Sequence, residues 1–213
     1  MRIFNLFKCN KKESNLDRLV KDVNKIENGY SKIQKRFMYY YTSHDGLICV
    51  QKNRNSGFTY IMQEIANAER CDGKKVLYIG VGSMFMPKIF KEISLSGGRI
   101  DFKTKRSLNE IDFIGKRYDL IIIDEAGFLD DFKKVLNMGI CSDDVKIIIC
   151  STPVTNHNKN YKTLKELFED SEISNSLFRF KKLRSSDKIG EMICSLPIES
   201  VTCEIYGEFP EYD

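Results

Sequence analysis

The chain has no apolar run long enough to cross a bilayer, no Cys-x-x-Cys spacing, only two histidines and no internal repeat or low-complexity block. Each absence removes a class of function. A spanning helix needs about 20 successive apolar residues, and the interrupted apolar stretch in Met1–Lys8 is too short for the core of a secretion signal. The seven cysteines (Cys9, Cys49, Cys71, Cys141, Cys150, Cys194, Cys203) pair neither with one another at metal spacing nor with His44 or His157. Several lie in apolar runs, so they read as reduced core thiols rather than a zinc site. The expectation is a cytoplasmic protein with no membrane partner.

A large excess of charge of one sign is also lacking, with 34 Lys or Arg against 30 Asp or Glu. A net charge of +4 over 213 residues does not by itself imply nucleic-acid binding. The distribution is uneven: the first 40 residues hold ten Lys or Arg against four acids, leaving the remainder at −2. Such a region can dock on phosphate backbones or be a solvated helix face, and both readings stand. The length suits one α/β domain with a substantial core and is too short for two large ones.

What is present is organised around Tyr118-Asp119-Leu120-Ile121-Ile122-Ile123-Asp124-Glu125-Ala126. Four aliphatic residues ending in two carboxylates read as a buried central strand of a parallel sheet. The carboxyl ends of such strands are where open α/β sheets bind ligands. In phosphoryl transfer Asp124 would orient Mg²⁺ on nucleotide phosphates and Glu125 would polarise the attacking water, a Walker B arrangement. In the alternative the acids merely cap the following turn.

Upstream, Leu47-Ile48-Cys49-Val50 reads as a short buried strand, followed by the polar loop Gln51-Lys52-Asn53-Arg54-Asn55-Ser56-Gly57-Phe58 and a helix from Thr59 to about Arg70. Strand, glycine-bearing loop and helix form a phosphate cradle, with loop amides and the positive helix end facing the anion. As a P-loop, or Walker A motif, it is degenerate: Gly57 is its only glycine, and Phe58 stands where a lysine is usual. Thr59 keeps the hydroxyl for Mg²⁺, and Lys52 or Arg54 must supply the cation. A polar turn without a ligand is the competing reading.

Other elements follow. Residues 14 to about 40 predict a helix carrying Leu16, Leu19, Val20, Val23 and Ile26, broken near Asn28-Gly29, and a second helix from Ser31. Strands are expected at 74–82, 99–102 and 146–150, with helices to about Ile93, over 128–138 and over 162–170. Ser151-Thr152-Pro153, beyond a strand beside the catalytic one, is placed to sense a γ-phosphate, or is a simple exit turn. Phe178-Arg179-Phe180-Lys181-Lys182-Leu183-Arg184 suits a nucleic-acid track or a sheet edge guarded by charge. The closing stretch from Val201 has a strand-like start.

The order of these pieces matches a RecA-like or helicase-like P-loop NTPase: a mostly parallel sheet flanked by helices, with residues 1–42 as a helical lead-in and 43–213 as the ATPase domain. The sequence also resembles the ATPase domain of the large terminase subunit, the DNA-packaging motor of tailed bacteriophages. The resemblance is carried by Arg54-Asn55-Ser56-Gly57-Phe58-Thr59, Gly97-Gly98-Arg99-Ile100, Gly115-Lys116-Arg117-Tyr118-Asp119 running into Ile123-Asp124-Glu125-Ala126, Ser151-Thr152-Pro153, and Glu204-Ile205-Tyr206-Gly207-Glu208-Phe209. It covers the chain from about residue 45. Some terminases move the loop lysine toward the loop's start and place an aromatic before the Ser/Thr, as Lys52 and Phe58 do here.

The resemblance implies ATP and Mg²⁺ as ligands and translocation of double-stranded DNA into a procapsid by a homo-oligomeric ring working with a portal and a small terminase subunit. The compartment would then be the host cytoplasm. Arg54 would be the loop arginine, and Ser151, Thr152 and Pro153 the coupling motif; Arg99, Arg106 and Arg117 remain open as the arginine finger. Nuclease activity is not expected, because no acid-clustered nuclease segment follows. A non-hydrolysing scaffold with the same fold is the alternative that Phe58 keeps open.

Overall fold

Two serines start the amino-terminal helices. Ser14 and Ser31 each accept a hydrogen bond from the backbone three residues on, and the side chains of Asp17 and Gln34 reach back to the cap amides. These reciprocal capping boxes fix α1 (Asn15–Asn24) and α2 (Lys32–Ser43) where the apolar periodicity places them. The computed structural model describes residues 13–25, 29–80, 98–104, 116–130, 144–181, 193 and 195–211. The expected helices to Ile93 and over 128–138, as well as Arg106, lie wholly or largely outside them.

The remaining elements are β1 (Leu47–Lys52), α3 (Phe58–Cys71), β2 (Lys75–Gly80), β3 (Arg99–Thr104), β4 (Leu120–Asp124), a 3₁₀ turn (Ala126–Phe128), β5 (Lys146–Ser151), α4 (Tyr161–Ile173), β6 (Leu177–Phe180) and α5 (Ile198–Val201), which runs into a π-helical turn at Thr202–Tyr206. The described strands form one six-stranded sheet in the order β3-β2-β4-β5-β1-β6, and all five pairings are parallel. This is the expected parallel α/β sheet flanked by helices.

Parallel strands buried on both faces must be apolar throughout, and each face takes alternate residues. Ile48, Val50, Leu120, Ile122, Ile148 and Cys150 pack with α1, α2 and α3 on one face. Cys49, Ile121, Ile123, Ile147 and Ile149 pack with Leu164 and Phe168 of α4 on the other. Alternation therefore decides the site: Asp124, in phase with Leu120 and Ile122, belongs to the face that carries α3.

Two expectations need correction. Gln51 and Lys52 belong to β1 rather than to the loop, because their pairing with Ser151 and Phe180 continues the ladder on both sides. The segment from Val201 is helical, not a strand. Pro197 caps its start and Gly207, at φ 65°, ends it. Its alternating burial mimicked a strand, but its carbonyls are used elsewhere: those of Glu204, Ile205 and Gly207 accept from the Arg54 amide, the Asn53 side chain and the Gln51 side chain at 2.8, 3.1 and 2.6 Å.

At the β6 edge Phe178 and Phe180 turn inward against Phe37, with ring centroids 5.1 and 6.3 Å away. Arg179 grips Glu172 through two 2.7 Å bonds and Lys181 pairs with Glu208 at 2.6 Å. That is the guarded-edge arrangement, with both described cations held by acids.

Candidate nucleotide site

A cavity of about 520 Å³ opens at the carboxyl rim of the sheet, between the β1–α3 loop and the tip of β4. The loop can make its turn because Gly57 takes φ 85° as the N-cap of α3 and Asn55 takes φ 55°; glycine and asparagine tolerate this left-handed backbone best. Phe58, which follows at the start of α3, borders the cavity but packs its ring into the core. It is fully buried between Phe37 and Phe180, each with its ring centroid 4.8 Å away. The residue in the lysine position is a core residue.

The buried cation at the cavity is Lys52. As the last residue of β1 its side chain is only 4% exposed, and its Nζ donates to Oε1 of Glu125. Burial by itself disfavours the ammonium, but the Glu125 and Asp124 carboxylates nearby outweigh it and hold the pKa above the ordinary lysine value. Arg54 sits differently. Its side chain is 57% exposed, and it donates to Glu204 at 2.6 Å on the rim of the same cavity.

The acids face the loop across the cleft. Asp124 accepts from the Thr59 hydroxyl at 2.9 Å and from the Tyr78 hydroxyl at 3.1 Å on Oδ2, and from the Cys150 thiol at 2.9 Å on Oδ1. Burial, with Asp124 next to them, pushes the Tyr78 and Cys150 pKa values well up, so both stay protonated donors. Glu125 follows at φ 58°, an uncommon backbone for such a side chain. Its Oε2 also accepts from the Thr152 amide at 3.4 Å. Ser151 continues the chain, accepting from the Gly127 amide at 3.0 Å and donating to the Thr152 carbonyl at 2.7 Å. Pro153 follows, buried.

The residues fit a magnesium nucleotide. The Ser56 hydroxyl is buried in the cavity's loop with no partner, and buried polar atoms are rarely left so. Among the described residues no group of three His, Cys, Asp or Glu could hold a metal ion. A hydroxyl and one carboxylate suit Mg²⁺, which takes most ligands from phosphate and water. Arg99 and Arg117 lie at the amino ends of β3 and β4, the opposite edge of the sheet from the cavity.

Sequence reasoning brought Thr59, Asp124, Glu125, Lys52 and the loop to this cavity; it named Gln51 in the loop and Glu204 in the closing segment without giving either a role, and it missed Gln34, Tyr78 and Cys150. Gln34, on α2, donates to the Gly57 carbonyl at 3.2 Å. Nothing in the sequence separated these polar groups from ordinary core or surface residues; only their register beside β4 or the loop does.

No family model matches the sequence, and no curated protein sequence matches it. Solved structures do match. The large terminase ATPase domain of Thermus phage P74-26 superposes with a TM-score of 0.64 at 14% identity, covering 91% of this chain and 98% of that one. The large terminase of bacteriophage HK97 gives 0.61 at 14% identity over 92% of this chain. A large terminase from a thermophilic bacteriophage, in complex with ADP, gives 0.56 at 12% over 92%. The chain spans about half of the latter two proteins, 55% and 53% of their lengths. The fold is that of the phage large terminase ATPase domain, the family that the sequence motifs resemble.

Proposed function

We propose that the protein is the ATPase domain of a DNA-packaging motor, hydrolysing ATP with Mg²⁺ to move double-stranded DNA. The observation that carries this reading is the convergence of Thr59 and Asp124, 2.9 Å apart, beside the ion pair of buried Lys52 with Glu125 in one cavity. Lys52, Ser56 and the amino end of α3 receive the phosphates, with the amides of Asn55, Gly57 and Phe58 at the turn. Thr59 and Asp124 hold the Mg²⁺, which neutralises the charge that develops on the phosphates. Glu125 orients the attacking water once Lys52 has turned to phosphate. Thr152, bonded to Glu125, passes the change through Ser151 and Pro153. Arg54 faces phosphate at the rim or in a neighbouring subunit.

By the same reading, residues 1–42 are a helical lead-in to the ATPase domain formed by 43–213, and subunits work as a homo-oligomeric ring with a portal and a small terminase partner in the host cytoplasm. A scaffold that binds without turnover would share the buried Phe58, yet would have no need of an acid held at a left-handed backbone position over the cleft. Phosphate release from Mg-ATP, with and without duplex DNA, separates the two. Turnover stimulated by DNA is expected; binding without turnover would leave the scaffold.

A further inference from the structure

Asp124 is held from both sides of its strand, and the two groups that hold it are not those of a phosphate loop. A carboxylate offers about four acceptor positions. Thr59, Tyr78 and Cys150 together occupy three of them. Tyr78 reaches Asp124 from β2, where it lies opposite Ile122, and Cys150 reaches it from β5, where it is the register partner of Asp124 itself. Both side chains are buried, and Tyr78 is braced by Phe102, stacked at 5.8 Å and 23°.

We propose that Tyr78 and Cys150 are positioning residues for a divalent cation: by fixing the plane of the Asp124 carboxylate from the two flanking strands, they leave one acceptor position set for the metal or its water. This deepens the nucleotide reading and rests on it. The two flanking strands each aim one donor at a different oxygen of the acid, Tyr78 at Oδ2 and Cys150 at Oδ1, which fixes the carboxylate plane, and Tyr78 also lines the cavity. Partners that orient a metal's ligands typically change affinity 10–100-fold when removed.

The test follows ADP affinity as a function of Mg²⁺ concentration in the wild-type chain, Tyr78→Phe, Cys150→Ala and Cys150→Ser, with thermal melting in EDTA as the measure of folding. Tyr78→Phe and Cys150→Ala are expected to raise the Mg²⁺ concentration for half-maximal ADP binding about tenfold. Metal-free ADP binding should change less than twofold, and Cys150→Ser, which keeps a donor, should return the midpoint toward wild type. If Tyr78→Phe does not fold, the Cys150→Ala and Cys150→Ser pair decides alone. Midpoints within twofold of wild type in folded variants would overturn the positioning role while leaving the nucleotide site intact. A wild-type chain that binds no ADP, or binds it without regard to Mg²⁺, would overturn the nucleotide reading and this role with it.

Discussion

Lys52 and Glu125, 73 residues apart in the chain, form an ion pair across the mouth of the cavity. The lysine is the buried partner and the glutamate the more exposed one. Removing one member of a buried pair costs about 3–5 kcal/mol, and the penalty falls when the other goes too. Because Glu125 retains contact with water, the lower end applies. Lys52→Ala should therefore lower stability more than Lys52→Ala combined with Glu125→Ala, a difference read by denaturant unfolding of the single and double variants.

Glu125 has a second role under this account. Glu125→Gln keeps the size of the side chain and loses the charge that polarises water. ATP turnover should fall by about 10²- to 10⁴-fold, while the affinity for a non-hydrolysable ATP analogue stays within a few fold. Steady-state phosphate release together with equilibrium binding checks both halves, and wild-type turnover in the variant would reassign the acid.

Phe58 makes the loop look degenerate, and the remedy that a sequence comparison invites should fail. Its ring lies between Phe37 and Phe180. Phe58→Ala should cost about 3–5 kcal/mol. Phe58→Lys, although it restores the usual motif, places an amine in an aromatic core and should destabilise at least as much. Melting temperatures of the two variants are the check.

Much of this was legible in the residues. Ile121-Ile122-Ile123 before Asp124-Glu125 read as a buried strand with acids at its end, and the polar loop before the helix at Thr59 read as a phosphate cradle or as a plain turn. The rest depends on register, which a sequence does not print. Tyr78 and Cys150 read as core residues because they are core residues; only the pairing of β2 and β5 with β4 brings them to Asp124. The segment from Val201 misled because alternate burial is a property strands share with a helical turn packed at one edge on the loop. Its partners, Gln51, Asn53 and Arg54, lie some 150 residues earlier.

That contact can be probed at Gly207. It takes φ 65°, and an added Cβ would meet the Asn53 amide nitrogen at 3.1 Å and the Lys52 carbonyl carbon at 3.2 Å. Gly207→Ala should cost about 1–3 kcal/mol in strain. It should also displace the loop, so that a loss of nucleotide affinity by titration accompanies the loss of stability by unfolding.

Stability should also depend on alkaline pH through Cys49. Burial pushes this thiol from 9.0 up to about 11. A raised folded value means the unfolded chain releases its proton first, so the contribution is whole below pH 9 and is lost as pH climbs through 11. Two units correspond to about 2.7 kcal/mol at most. Unfolding midpoints at pH 8.5 and 10.5 should differ in the wild-type chain and differ less in Cys49→Ala.

The central claim is that Lys52, in place of the missing loop lysine, receives the phosphates of a magnesium nucleotide. Calorimetric titration of Mg-ATP analogue into the wild-type chain, Lys52→Ala and Arg54→Ala tests it most directly. The account predicts saturable binding by the wild type, a loss of about 100-fold or more in Lys52→Ala, as removal of a buried charged hydrogen bond of about 3 kcal/mol entails, and a smaller loss in Arg54→Ala. Equal affinity in all three, or no binding by the wild type, would contradict it.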